Sequence, residues 1–224
     1  AELQFDFPTA LSATEKMKAK SLDPAAKYLK MALLAELGKM DARPYYQKYI
    51  KTAKDKEKKM AVAAQMVKTS PNQQKELNRY KSLLVQKPDF YAEATYEIYA
   101  KTKNKKLLSK ITKQPKFLVT PYGKAAQRTL MLDRYEVLKK KIQADKVNSS
   151  TQGRLARSLK KRITLLGNAE KLAGQAVDQR EWASQILLLN LIAAENQRFY
   201  NEVLSLPVPK GLTPEEEQQY LSLL

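Results

Sequence analysis

Residues 122–145 read YGKAAQRTLMLDRYEVLKKKIQAD, and this stretch decides the fold class. Leu132, Tyr135, Leu138 and Ile142 recur at intervals of three, three and four, which is the period of one helix face. Toward the C-terminus, the loop Val147-Asn148-Ser149-Ser150 leads into a second helix from Thr151 to about Gln175. Its stripe runs through Leu155, Leu159, Arg162, Leu166 and Ala169. Asp178 is expected to cap a third helix, where Trp182, Ile186, Leu189, Ile192, Asn196, Phe199 and Val203 keep near-heptad spacing. Such short connections predict antiparallel neighbours. Leu206-Pro207-Val208-Pro209 ends that helix, and the capping box Thr213-Pro214-Glu215-Glu216 opens another.

Proline and capping residues divide the N-terminal half into shorter helices. Asp23-Pro24 opens one to about Met40, with the stripe Ala26, Leu29, Leu33, Ala35 and Leu37. Arg43-Pro44 opens the next, and Asp55 caps a third bearing Met60, Ala63, Ala64 and Val67. Ser70-Pro71 starts a fourth and Pro88-Asp89 a fifth, followed by a short apolar segment around Leu107, Leu108 and Ile111. Lys116-Phe117-Leu118-Val119-Thr120 is the one candidate strand, and it reads better as a linker between two prolines. The whole is therefore all-α, with a break where the helices lengthen: residues 1–117, then a long-helix bundle over 118–224.

The first half also repeats. Met60 follows Ala26 by 34 residues, Tyr80 follows Tyr46 by 34, and Ala94 follows Met60 by 34. Residues 22–113 thus resemble a degenerate tetratricopeptide-like α-solenoid of about two and a half units, each of two helices. Ala26, Ala63 and Ala94 stand where helices of such a unit approach closely, although the Leu-Gly pair of the family is absent from most units. The segment from Glu195 to Tyr200 and on through Gly211 to Glu216 is similar to a helix–proline–helix junction of secreted bacterial helical-repeat proteins. The resemblance implies a scaffold that binds other proteins on a concave surface, with no chemistry of its own.

Composition narrows the function classes. The 224 residues include no cysteine and no histidine. Thiol catalysis, zinc knuckles, iron–sulfur clusters and disulfides are excluded, and the commonest general base is missing. No cofactor or metal is expected. The longest apolar run, Ile186 to Ala194, is interrupted by Asn190 and falls short of the ~20 residues of a membrane span. The start at Ala1-Glu2 is what a signal peptidase often leaves, so the expected location is periplasmic or secreted, with cytoplasmic as the alternative. Tyr220 to Leu224 stops within an apolar-periodic segment, so the chain is expected to continue.

Charge is the most informative feature. Lys+Arg number 41 against 23 Asp+Glu, a formal net charge of +18. From Ile98 to Leu132 there is no acid, while Lys101, Lys103, Lys105, Lys106, Lys110, Lys113 and Lys116 accumulate, followed by Lys124 and Arg128. From Lys146 to Ala169 acids are absent again, and Arg154, Arg157, Lys160, Lys161 and Arg162 crowd together. The two clusters predict a basic surface for an acidic protein partner. Nucleic acid is the alternative, through phosphate contacts and the tyrosines Tyr45, Tyr46, Tyr49, Tyr91, Tyr96 and Tyr99 as stacking platforms. Lysine outnumbers arginine, which disfavours bidentate base reading. The tyrosines at helical spacing also read as packing, and the lysines as an ordinary solvated face.

Motifs for chemistry are weak. Ser158-Leu159-Lys160-Lys161 matches Ser-x-x-Lys, but neither Ser-Asp-Asn nor Lys-Thr-Gly follows. Glu93 with Glu97, and Asp133 with Glu136, read as solvent-facing charge rather than a carboxylate pair across a cleft. Asn196 at a core-like position, beside Glu195, reads as a register-fixing polar residue. No two glycines stand close enough for a phosphate loop, and Asn148-Ser149-Ser150 is an incidental glycosylation sequon. The expectation is a non-enzymatic protein-binding scaffold. The helical superhelix domain of a cell-wall lytic enzyme is a third reading.

Overall fold

A computed structural model of the chain describes residues 5–17, 23–148, 150–206, 213–215 and 218. Among them stand eleven helices and no strand, so the chain is all-α. The helices are α1 (Phe7–Lys16), α2 (Pro24–Leu37), α3 (Arg43–Thr52), α4 (Lys56–Thr69), α5 (Gln73–Leu84) and α6 (Pro88–Thr102). Then come α7 (Lys105–Thr112), α8 (Pro115–Leu118), α9 (Pro121–Ala144), α10 (Gln152–Asp178) and α11 (Trp182–Leu204). Both chain ends, Ser149, and most of the helix expected from Thr213 lie outside the described residues. No helix among the described residues is long and apolar enough to cross a membrane. The chain divides into two compact units, Ala1–Gln127 and Arg128–Leu224, with the division inside α9.

In the first unit, side-chain caps set the helix starts. The Asp6 carboxylate accepts from the Thr9 N–H at 3.2 Å and opens α1, a helix that the periodicity reading passes over. Asp23 opens α2 in the same way through Ala26 N–H at 3.1 Å, next to Pro24. Asp55 accepts from the N–H groups of Glu57 and Lys58 and opens α4. Asn72 caps α5 through Lys75 N–H at 3.0 Å, two residues beyond the expected Ser70-Pro71 start. Each such cap is worth about 1 kcal/mol. Helices α2, α4 and α6 begin at Pro24, Lys56 and Pro88, each 32 residues after the last, and each packs on the helix that follows it.

The α2 stripe needs correction. Ala25, Met31, Ala32, Leu34 and Ala35 are buried, while Ala26, Leu33 and Leu37 face solvent. Apolar residues surround this helix on most sides, so spacing alone does not choose the inward face. Ala63 and Ala94 are buried as expected of close-approach positions. The expected linker at 116–120 is instead anchored structure. It holds the single turn α8, with Phe117 buried against Tyr91 at 4.8 Å between ring centroids. Thr120 Oγ1 donates to Phe117 O at 2.7 Å and accepts from Gly123 N–H at 2.9 Å, turning the chain into α9. One helical turn is too short to show a period.

In the second unit, Met131, Tyr135 and Ile142 of α9 share a core with Ala169, Leu172, Ala173 and Ala176 of α10 and with Leu188 and Leu191 of α11. Arg128 meets Glu181 at 3.0 Å at one end, and Arg198 donates to Ile142 O at 2.8 Å at the other. Thus α9 and α11 run the same way and α10 runs against both. Asp178 is the last residue of α10, and Glu181, buried beside Arg128, takes the position before α11. The buried stripe of α11 is Ser184, Leu188, Leu191 and Glu195. The expected stripe is mostly exposed: Trp182 and Ile186 at 59%, Leu189 at 50%, with Asn196 exposed as well. Glu195, not Asn196, is the buried polar residue.

Candidate functional site

The lysines from 101 to 116 are arranged by the apolar side of α7. Leu107, Leu108 and Ile111 are buried, so Lys105, Lys106, Lys110 and Lys113 emerge on the opposite side. Asn104 opens α7 by accepting from Lys106 N–H at 3.1 Å. Lys101 and Lys103 extend the exposed face at the end of α6, and Lys116 extends it on α8. The backbone of Lys103 is left-handed (φ 54°), and its ammonium lies 5.9 Å from the Tyr99 ring centroid. Lys116 sits 4.9 Å from the Phe117 ring centroid. Among the described residues no carboxylate lies within ion-pairing distance of Lys101, Lys103, Lys106, Lys110, Lys113 or Lys116. Six cations without counter-charges on three consecutive short helices make a surface of high positive potential.

The second cluster divides. Arg154, Arg157 and Lys160 are exposed on α10. Arg154 donates to Ser150 Oγ at 3.2 Å, and Arg157 to Gly153 O at 3.0 Å. Lys161 is exposed but bound to Asp145 at 2.6 Å. Arg162 must be withdrawn from the surface, because its side chain is wholly buried. Its Nε donates to Asp145 Oδ2 at 3.0 Å, an Nη2 hydrogen bonds to Asp145 O, and the same nitrogen meets Glu202 at 3.3 Å. The guanidinium also faces the Phe199 ring, 5.7 Å from its centroid. Arg198 pairs with Glu195 at 2.6 Å and donates to the carbonyls of Ile142, Gln143 and Asp145, closing the end of α9. A guanidinium stays protonated at any accessible pH, so it is buried only where carboxylates and carbonyls surround it. A run of like charges in sequence gives no sign of such partners, because Asp145 and Glu202 lie 17 and 40 residues away.

No known family model, curated protein or solved structure matches this chain. Ser158 Oγ accepts from Asn148 N–H at 3.0 Å and donates to Lys146 O at 3.1 Å, while Lys161 turns to Asp145. Glu93 and Glu97 are half-buried rather than free in solvent, and both approach Lys68, at 2.6 and 3.5 Å. The hydrogen bond to Glu93 raises the Lys68 ammonium above its ordinary pKa, against the opposing effect of burial. Tyr46, Tyr49 and Tyr91 are buried and unavailable for stacking on a base. Tyr96 stacks within the protein, 5.8 Å from Tyr99 and 5.9 Å from Tyr122. A groove of about 330 Å³ lies among Asp23, Ala25, Leu29, Tyr49 and Lys58, with Asp23 and Asp55 already committed to helix caps. Among the described residues no group of three or more Asp or Glu stands close enough to hold a metal.

Burial pushes the Asp145 carboxyl up, but the hydrogen bonds from Lys161 and Arg162 outweigh it and hold the group below the ordinary carboxylate value. A depressed pKa in the folded state stabilises above the unfolded value and is lost as pH falls through the folded one. Stability of the second unit is therefore expected to drop below about pH 4 through this group. Denaturant titrations of Asp145→Asn between pH 6 and pH 2 should show a lower plateau and a shallower acid limb. An acid limb as steep as that of the parent would remove Asp145 from this role.

Proposed function

We propose that the chain is a non-enzymatic scaffold of helical-repeat type, which captures an acidic protein on the lysine face of α6–α8. The observation that carries this reading is the set of exposed lysines from Lys101 to Lys116, six of them without a carboxylate in reach among the described residues. The 32-residue spacing of α2, α4 and α6 supports the tetratricopeptide-like part of the reading, since each unit buries its apolar side against the next. Lysine is a compact point charge that suits an irregular acidic surface better than bidentate recognition. Arg154, Arg157 and Lys160 form a lesser basic surface on α10 in the same reading. Periplasm or the cell exterior remains the proposed compartment, with the cytoplasm as the alternative, and cell fractionation decides between them.

Capture from fractionated lysate, with and without nuclease and at two salt concentrations, tests the proposal against Lys106→Glu/Lys110→Glu/Lys113→Glu. The three side chains are exposed, so the fold should survive, as circular dichroism will verify. One acidic protein, retained after nuclease and bound at least tenfold more weakly by the triple variant, is the expected result. Equal capture by parent and variant overturns it. The nucleic-acid reading uses the same lysines on phosphates and predicts material lost to nuclease, with affinity falling steeply in salt. The burial of Tyr46, Tyr49 and Tyr91 takes three stacking platforms from that reading.

A further inference from the structure

The outward side of α7 carries neither an apolar side chain nor a ring. Leu107, Leu108 and Ile111 are at most 2% exposed, while Lys105, Lys106, Lys110 and Lys113 hold the exposed positions. Ser109 and Thr112 between them are half-buried, and the Thr112 hydroxyl donates to Leu108 O at 3.2 Å. Two rings border the lysine face, and its own cations lie over both: Lys103 over Tyr99 at one end, Lys116 over Phe117 at the other. Val119, 76% exposed, follows Lys116 and stands outside the run.

This surface restricts the form of a partner as well as its charge. A folded protein docks most strongly where an aromatic or arginine anchor fills a pocket at the centre of the interface, and α7 offers ammoniums there instead. A partner helix would need its axis within about 8–10 Å with side chains interlocked, and the lysine stems hold it off. Among the described residues there is no strand, so no sheet edge is present for a partner strand to join. What suits the surface is a chain that brings its own high density of negative charge and no fixed shape.

The spacing fits such a chain. Lys106, Lys110 and Lys113 stand at i, i+4 and i+7 on one side of the helix, about 6 and 4.5 Å apart along its axis. An extended chain shows carboxylates on one side about every 6–7 Å. Blocks of like charge repel themselves into such extended, unstructured forms. We infer that the partner docks through an unstructured run of about four to six consecutive Asp or Glu, laid in extended form along α7. This rests on the reading of the lysine face as the docking site for an acidic protein, and adds the form that the acidic segment takes. Contact made through ion pairs without an apolar anchor forms fast and is weakened by salt.

Fluorescence anisotropy of hexaglutamate carrying a neutral dye tests the inference at low salt. Lys106→Glu/Lys110→Glu/Lys113→Glu should bind it at least tenfold more weakly than the parent chain. Arg154→Glu/Arg157→Glu/Lys160→Glu makes the same change of net charge on α10 and should lose less than threefold. Six glutamates each separated by two glycines should bind the parent at least tenfold more weakly than hexaglutamate. The inference is overturned by an equal loss in the two triple variants, which would mean attraction to net charge alone. It is overturned as well by equal affinity for the spaced peptide, by absence of hexaglutamate binding, or by tighter binding of hexauridylate, which would give the face to phosphates. Capture from lysate of a folded acidic protein that excess hexaglutamate does not displace overturns this inference and leaves the docking reading standing. Hexaglutamate held by α7 with no acidic protein captured does the reverse.

Discussion

Asp145→Ala should cost the second unit about 3–5 kcal/mol of stability, because it leaves a buried guanidinium with one of its two carboxylates removed. Arg162 is wholly inaccessible, and Asp145 supplies both a carboxylate oxygen and a carbonyl to it. The backbone carbonyl remains after substitution, and Glu202 at 3.3 Å is then, among the described residues, the one carboxylate within reach. Arg162 cannot shed its proton to escape the penalty. Urea unfolding followed by Trp182, the only tryptophan and a member of α11, reads this unit directly. Replacing both partners, Asp145→Leu with Arg162→Met, should recover most of the loss, because the desolvation cost disappears along with the attraction. A loss below about 1 kcal/mol for the single variant would mean that the guanidinium reaches water, and the network would not be a structural requirement.

Gly123→Ala is expected to destabilise the first unit by about 3 kcal/mol, at the upper end of what overpacking costs. A Cβ at Gly123 would lie 1.9 Å from Phe117 O and 2.8 Å from Leu118 Cα, and both are backbone atoms that cannot rotate aside. Glycine is needed here for close approach, since Thr120 draws Phe117 O and Gly123 N–H onto one hydroxyl. Moving α8 away would pull Phe117 from Tyr91. Thermal or urea unfolding by circular dichroism gives the shift. Gly153→Ala, where an added Cβ meets nothing within 4 Å, is the matched control. Equal midpoints for the two variants would show that the turn has slack.

Most helix starts were legible, because Asp23-Pro24, Asp55 and Thr151 do locally what caps do. Which face points inward was less legible. On α2 and α11 apolar residues lie on both sides, so a period of 3.6 is satisfied by either choice. On α11 the inward face is held from both ends, by Glu181, which pairs with Arg128 of α9, and by Arg198, which donates to the carbonyls of Ile142 and Gln143. The lysine face was legible because a run without acids stays without acids after folding short consecutive helices. For Arg162 the place in the stripe between Leu159 and Leu166 already marked an inward position, while its carboxylate partners, far off in sequence, were not legible.

Three helices end on a cation with left-handed backbone: Lys39 after α2, Lys103 after α6 and Arg180 after α10, each at φ near 55°. At Gly38 the glycine has ordinary φ, and Lys39 beside it makes the reversal. A side chain in that conformation costs about 1 kcal/mol. A positive charge at a helix C-terminus returns roughly 0.3–1 kcal/mol through the peptide dipoles. Ions in solution screen the second quantity and leave the first untouched. The corner at Lys103 is also where the lysine face turns from α6 into α7, so ionic strength acts on it twice: salt that screens the positive potential of the face also loosens the backbone presenting it.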